Sequence, residues 1–120
     1  MSNHHILLVD DEVVVRMTTT LILKKLGCEV YAFSNGPEAL SFFTDNRDLI
    51  DLAILDSHMP DMSGIELFHE LKRVHVDLKA VLASGFLDEE DMEQSQTEGF
   101  TAVLNKPFHL SELKELIDTL

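Results

Sequence analysis

Four short stretches of this sequence carry side chains that could do chemistry: Asp10-Asp11-Glu12, Asp56, Ser84-Gly85 and Lys106-Pro107. Clustered carboxylates repel one another and are costly to hold together unless a cation joins them. Hard oxygen donors favour Mg²⁺, Mn²⁺ or Ca²⁺. An aspartate at a strand end can act as a nucleophile towards phosphorus. Phosphoryl transfer asks little of a protein beyond positioning and charge stabilisation. A divalent ion would neutralise part of the charge. The Lys106 ammonium could take one phosphoryl oxygen as a point charge, and the Ser84 hydroxyl could donate to another. The set matches an aspartyl-phosphate site with Asp56 as acceptor.

Each stretch also has a plainer explanation. Asp10 or Asp11 could cap a helix. Asp56 could open a turn in Asp56-Ser57-His58-Met59-Pro60, and Ser84-Gly85 could be only a loop. Lys106 could be a solvated lysine beside a turn proline. These explanations would have to hold four times over at successive strand ends, so one shared chemical explanation is preferred. No Cys/His set has zinc spacing, and His4-His5 reads as two solvated side chains near the terminus.

The elements that must position these groups are visible as alternation. Apolar runs recur at Ile6–Val9, Glu29–Phe33, Leu52–Leu55, Ala80–Ala83 and Thr101–Leu104. Continuous apolar runs of this length suit strands buried on both faces of a parallel sheet. The segments between them read as helices. Val15, Thr19, Ile22 and Leu26 follow helical spacing, and Gly27 stops them. Asn35 with Glu38, and Ser63 with Glu66, have capping-box spacing, and Pro37 suits a first turn. Leu110, Leu113, Ile117 and Leu120 make the last stripe. A fourth helix beginning at Asp88 has acids suited to its start, but only Leu87 and Met92 to anchor it. The pattern predicts an α/β, doubly wound, five-stranded parallel sheet in one domain over residues 1–120. In such folds ligands bind at the carboxyl ends of the strands, and there the four stretches fall.

Composition narrows the partners. With 22 acids against 9 bases the formal net charge is −13. That argues against a nucleic-acid face and against an anionic membrane surface. It suits a cation, a basic protein partner or simple solvation. Cys28 is the only cysteine, so no internal disulfide forms, and its apolar surroundings predict a buried filler. No apolar run has the length of a membrane span or the form of a signal peptide. A cytoplasmic location is the expectation.

On these residues the sequence resembles the response-regulator receiver family of two-component signalling. The likeness covers essentially the whole chain. It rests on Ile6-Leu7-Leu8-Val9-Asp10-Asp11-Glu12, Asp56-Ser57-His58-Met59-Pro60-Asp61-Met62-Ser63-Gly64, Ser84-Gly85 and Lys106-Pro107-Phe108 in order. The resemblance implies a flavodoxin-like (βα)5 fold with Asp56 as phosphoacceptor. It implies Mg²⁺, or Mn²⁺, held by Asp11, Asp56 and the backbone carbonyl of His58, with Asp10 acting through a metal-bound water. Ser84 and Lys106 would contact phosphoryl oxygens, and the peptide before Pro107 would be cis. The donor would be a phosphohistidine of a sensor histidine kinase or a phosphotransfer protein. A downstream protein would read the face of the fourth helix, fifth strand and fifth helix. Self-phosphorylation and autodephosphorylation are expected, not turnover of an external substrate. The chain could be a stand-alone switch, a phosphorelay member or a receiver module of a hybrid kinase.

One position departs from the family pattern. Val103 stands where an aromatic ring commonly swings inward on activation. A β-branched aliphatic side chain cannot supply that motion. The signal is therefore expected to pass through the Gly85-Phe86 loop and the weakly anchored fourth helix. His58 and Phe86, each two places beyond a site residue, are expected to tune the lifetime of the phosphoryl group. Three other functions compete. A phosphohydrolase with an Asp nucleophile would want a second acid where His58 stands. A flavin-binding module would want a phosphate loop where Asp10-Asp11-Glu12 stands. A pseudo-receiver would lack part of the acid, Ser and Lys set.

Overall fold

The computed structural model describes residues 3–85, 93 and 96–120. Five strands are present: β1 (His5–Val9), β2 (Glu29–Phe33), β3 (Leu52–Asp56), β4 (Ala80–Ser84) and β5 (Ala102–Asn105). Four helices join or follow them among the described residues: α1 (Val13–Lys25), α2 (Gly36–Asn46), α3 (Gly64–Val74) and α4 (Leu110–Asp118). The strands form one parallel sheet in the order β2-β1-β3-β4-β5. The doubly wound α/β expectation holds. The helix expected from Asp88 falls largely outside the described residues, as does Phe86; Glu93 and residues 96–98 are helical.

Strand pleating divides the core into two layers, because successive side chains point to opposite faces. Leu7, Val9, Leu55 and Leu82 face α2 and α3, packing with Phe43, Leu67 and Leu71. Ile6, Leu8, Ile54 and Val81 face α1 and α4, packing with Leu23, Leu113 and Ile117. Every residue of β3 and β4 is buried. The outer strands differ from expectation: β2 and β5 are only half-buried. Each has a neighbour on one side only, so the covering helices shield less of it.

Local signals explain most element ends. The Asn35 side chain accepts from the Glu38 amide at 2.9 Å, with Pro37 in the first turn of α2. Ser63 and Glu66 form a full capping box at the start of α3. Gly27 ends α1 at φ 87°, a conformation that glycine adopts without steric cost. Two helix stripes need correction. Leu23, absent from the expected α1 stripe, is fully buried, whereas Val15, Ile22 and Leu26 are half-buried. Leu110 is exposed at the first position of α4, and Leu116 packs on the core instead. Cys28 is buried as expected, and burial, aided by the Asp51 charge, raises its thiol pKa.

Residues 98 and 100 pack on α3. Phe100 stacks on Phe68 with ring centroids 4.2 Å apart, and Glu98 meets His69. β5 begins at Ala102 rather than Thr101 and carries Asn105 within it. Val103 pairs with Leu82 and packs half-buried against the layer beneath α2 and α3. Among the described residues no helix is long and apolar enough to cross a membrane.

Candidate phosphoacceptor and cation site

The strand order reverses direction between β1 and β3, where a crevice opens at the carboxyl edge of a doubly wound sheet. Asp10 follows β1 directly and Asp56 is the last residue of β3. Both are buried, Asp56 to 3% exposure. Asp10, Asp11, Glu12 and Asp56 each bring a carboxylate oxygen within 4.8 Å of the others. The expected convergence is therefore present.

Backbone bonds hold the edge in register. The Asp10 amide donates to the Phe33 carbonyl at 3.1 Å, and the Ser57 amide to the Ala83 carbonyl at 2.7 Å. The Lys106 amide donates to the Ser84 carbonyl at 2.8 Å, linking the ends of β4 and β5. Ser84 is buried beside Asn105 in the ladder. The Lys106–Pro107 peptide is cis, as the resemblance implied.

Lys106 reaches back across the edge. Its ammonium lies 3.1 Å from Asp56 Oδ1, 3.2 Å from Asp10 Oδ2 and 3.2 Å from Glu12 Oε1. Burial alone would lower its pKa, but Asp10, Asp56 and Glu12 outweigh that and raise it. It is a buried cation beside Asp56 and not a solvated surface lysine. The Asp56 carboxyl is pushed up to about 6, first by burial and then by the Asp10 charge and the Asp11 carboxyl; Lys106 pulls the other way. One cation does not neutralise this many acids.

The plain capping explanation for the acids fails in part. The N-cap residue of α1 is Glu12, and no side chain caps that helix. Asp10 Oδ1 does accept the Glu12 amide at 2.9 Å. Arg16, one turn into α1, donates to the Asp10 carbonyl at 2.7 Å and fastens the loop from behind. No spacing in the sequence signalled that contact. His58 is exposed at the rim, its amide 3.3 Å from Asp56 Oδ1 and its ring Nδ1 2.8 Å from Ser57 Oγ. Gly64 was legible only as part of a motif. A β-carbon there would stand 2.3 Å from the Asp56 carbonyl oxygen.

The donor set fits a hard divalent cation. Asp10, Asp11 and Asp56 supply only carboxylate oxygens, and among the described residues Asp56 Oδ2 is buried with no hydrogen-bond partner. A buried carboxylate oxygen left unpaired is expensive unless a ligand completes it.

Residues 6–118 match the family described as response regulator receiver domain. The chain belongs to that family. It is a receiver domain of two-component signal transduction. It is 27% identical over 117 residues to sporulation initiation phosphotransferase F of Bacillus subtilis, covering 98% of this chain and 93% of that protein. It is 32% identical over 117 residues to the sensor kinase CckA of Brucella abortus, covering 94% of this chain but only 12% of that protein. Among solved structures, response regulator protein TrrA from Thermotoga maritima, in complex with Mg²⁺ and a beryllium fluoride, shares 33% identity with a TM-score of 0.83; 97% of each chain is covered. The receiver fold therefore accompanies the acid, Ser and Lys set on one edge.

Proposed function

We propose that this receiver accepts a phosphoryl group on Asp56 from a phosphohistidine of a sensor histidine kinase or phosphotransfer protein. The observation that carries this is Asp56 itself. It is buried at the end of β3, 3.1 Å from the Lys106 ammonium, with its second oxygen unpartnered among the described residues. An Asp56 oxygen forms the new P–O bond as the P–N bond to the donor imidazole breaks, and the imidazole keeps the electron pair. Lys106 turns from its carboxylates to a phosphoryl oxygen, and the Ser84 hydroxyl donates to another. Mg²⁺ is the cation proposed, Mn²⁺ being the closest substitute. Asp11, Asp56 and the His58 carbonyl would hold it, with Asp10 acting through water. When bound, it supplies charge neutralisation for the transferring group. The magnesium and beryllium fluoride of TrrA support this choice. The receiver modifies and resets itself and turns over no external substrate.

Two surfaces support protein partners. Val13, Val14, Met17 and Leu21 project into solvent from α1, which starts directly after the acidic loop, and form a seat for the phosphoryl donor. A groove of about 470 Å³ between β5 and α4 carries Glu112 and Glu115 and suits a basic downstream protein. The expected helix from Asp88, which would complete that face, falls largely outside the described residues. The likeness to a sensor kinase keeps a receiver module within a larger protein as the second context. A cytoplasmic site of action follows from the proposed donors.

Mass spectrometry after incubation with Mg²⁺ and acetyl phosphate tests the reading. One phosphoryl adduct should form on the wild type and none on Asp56→Asn. An adduct that survives in Asp56→Asn would move the acceptor elsewhere.

A further inference from the structure

Glu12 has an arrangement that neither capping nor solvation accounts for. It is the N-cap residue of α1, yet its side chain bonds none of that helix's free amides. Its backbone is pinned on both sides: its amide donates to Asp10 Oδ1 and its carbonyl accepts from the Arg16 amide at 2.9 Å. The carboxylate instead lies 3.2 Å from Lys106 Nζ. Of the three carboxylates on Lys106 among the described residues, Asp10 and Asp56 are buried and belong to the proposed cation set. Glu12 is the exposed one, at 60% for the side chain against 6% for Lys106.

We infer that Glu12 is a resting-state anchor for Lys106, a positioning residue that competes with the phosphoryl group for the ammonium. The inference rests on the proposed function, since it assumes that Lys106 receives a phosphoryl oxygen. A cation drawn to Asp10 and Asp56 shares those carboxylates with Lys106. Glu12 then remains as the one partner that holds the ammonium back. Release of that contact is part of what phosphorylation costs. A half-exposed ion pair is screened by water, so the effect is modest: about two- to five-fold in an equilibrium.

Titration with beryllofluoride, a phosphoryl mimic, in saturating Mg²⁺ and followed by 1H–15N NMR, reads that equilibrium. Two variants separate the possible roles. Glu12→Gln removes the charge, whereas Glu12→Asp keeps it and shortens the reach. Both should bind beryllofluoride about two- to five-fold more tightly than wild type, with Mg²⁺ affinity within about two-fold. An effect of Glu12→Gln alone would mean general repulsion and overturn the anchor. A ten-fold loss of Mg²⁺ affinity in both would make Glu12 a metal ligand and also overturn it. Unchanged beryllofluoride affinity in both would do the same. If the wild type itself binds no beryllofluoride, the proposed function fails, not merely the role of Glu12.

Discussion

The proton affinity of Asp56 links its surroundings to stability. Its carboxyl titrates near 3.8 in an unfolded chain and is pushed up to about 6 in the fold, chiefly by burial. An acid that holds its proton more tightly when folded favours folding while protonated. Its stabilising contribution is complete below about pH 4 and is lost as pH rises through about 6. At neutral pH the charged carboxylate therefore costs the metal-free fold about 3 kcal/mol, from a gap of about 2 pH units at about 1.4 kcal/mol each. Urea unfolding without metal should show Asp56→Asn more stable than wild type by up to about 3 kcal/mol at pH 7. The advantage should vanish near pH 4. Adding Mg²⁺ at pH 7 should raise the wild-type midpoint, because a ligand that binds only the folded state stabilises it. Asp56→Asn, with one carboxylate fewer, should respond much less.

At the scale of elements, the start of α3 sets where Asp56 can be. Gly64 follows the cap residue Ser63 and lets the helix begin against the Asp56 carbonyl. Alanine there would put a carbon 2.3 Å from that oxygen, and backbone cannot yield as a flexible side chain would. Gly64→Ala should cost about 1–3 kcal/mol or more in chemical unfolding. It should also lower the yield of phosphoryl adduct. Ser63→Ala loses one cap bond and should cost about 1 kcal/mol while leaving the adduct yield intact. The pair thus separates helix stability from placement of Asp56. Elements of this kind were largely legible from the chain alone. Apolar runs marked all five strands, and Ser63-Glu66 marked the α3 start. Central strands matched best because burial on both faces leaves an unbroken apolar run. Edge strands and helix stripes matched less well, since partial burial tolerates mixed residues: Leu110 is exposed and Leu23 is buried. At the site, Asp10, Asp56, Ser84 and Lys106 were legible because strand ends must meet. The contacts of Arg16 with Asp10 and of Glu12 with Lys106 were not. They depend on the reach of long side chains, which no spacing rule records.

The whole molecule separates chemistry from docking. The proposed phosphoryl chemistry sits on the carboxyl edge, whereas the exposed apolar ridge of α1, the proposed seat of the donor, lies to one side of it. Met17→Glu should therefore slow phosphotransfer from a protein donor by about ten-fold or more, as loss of one well-packed apolar contact at an interface can. Labelling by acetyl phosphate, which needs no docking surface, should be unchanged. Parallel time courses with both donors would check this, and equal slowing would place Met17 within the reactive site.

The two-layered core has a further consequence for how this chain can diverge. Along β1, β3 and β4, neighbouring residues serve opposite layers, and the residue just after β1 and the last residues of β3 and β4 bring Asp10, Asp56 and Ser84 to one edge. A substitution in these strands disturbs one layer. Insertion or deletion of a single codon would exchange the two layers and shift the reactive edge by one position at once. Length in these three strands should therefore be held invariant among descendants of this gene while individual apolar residues are exchanged freely, with gaps tolerated only in the turns.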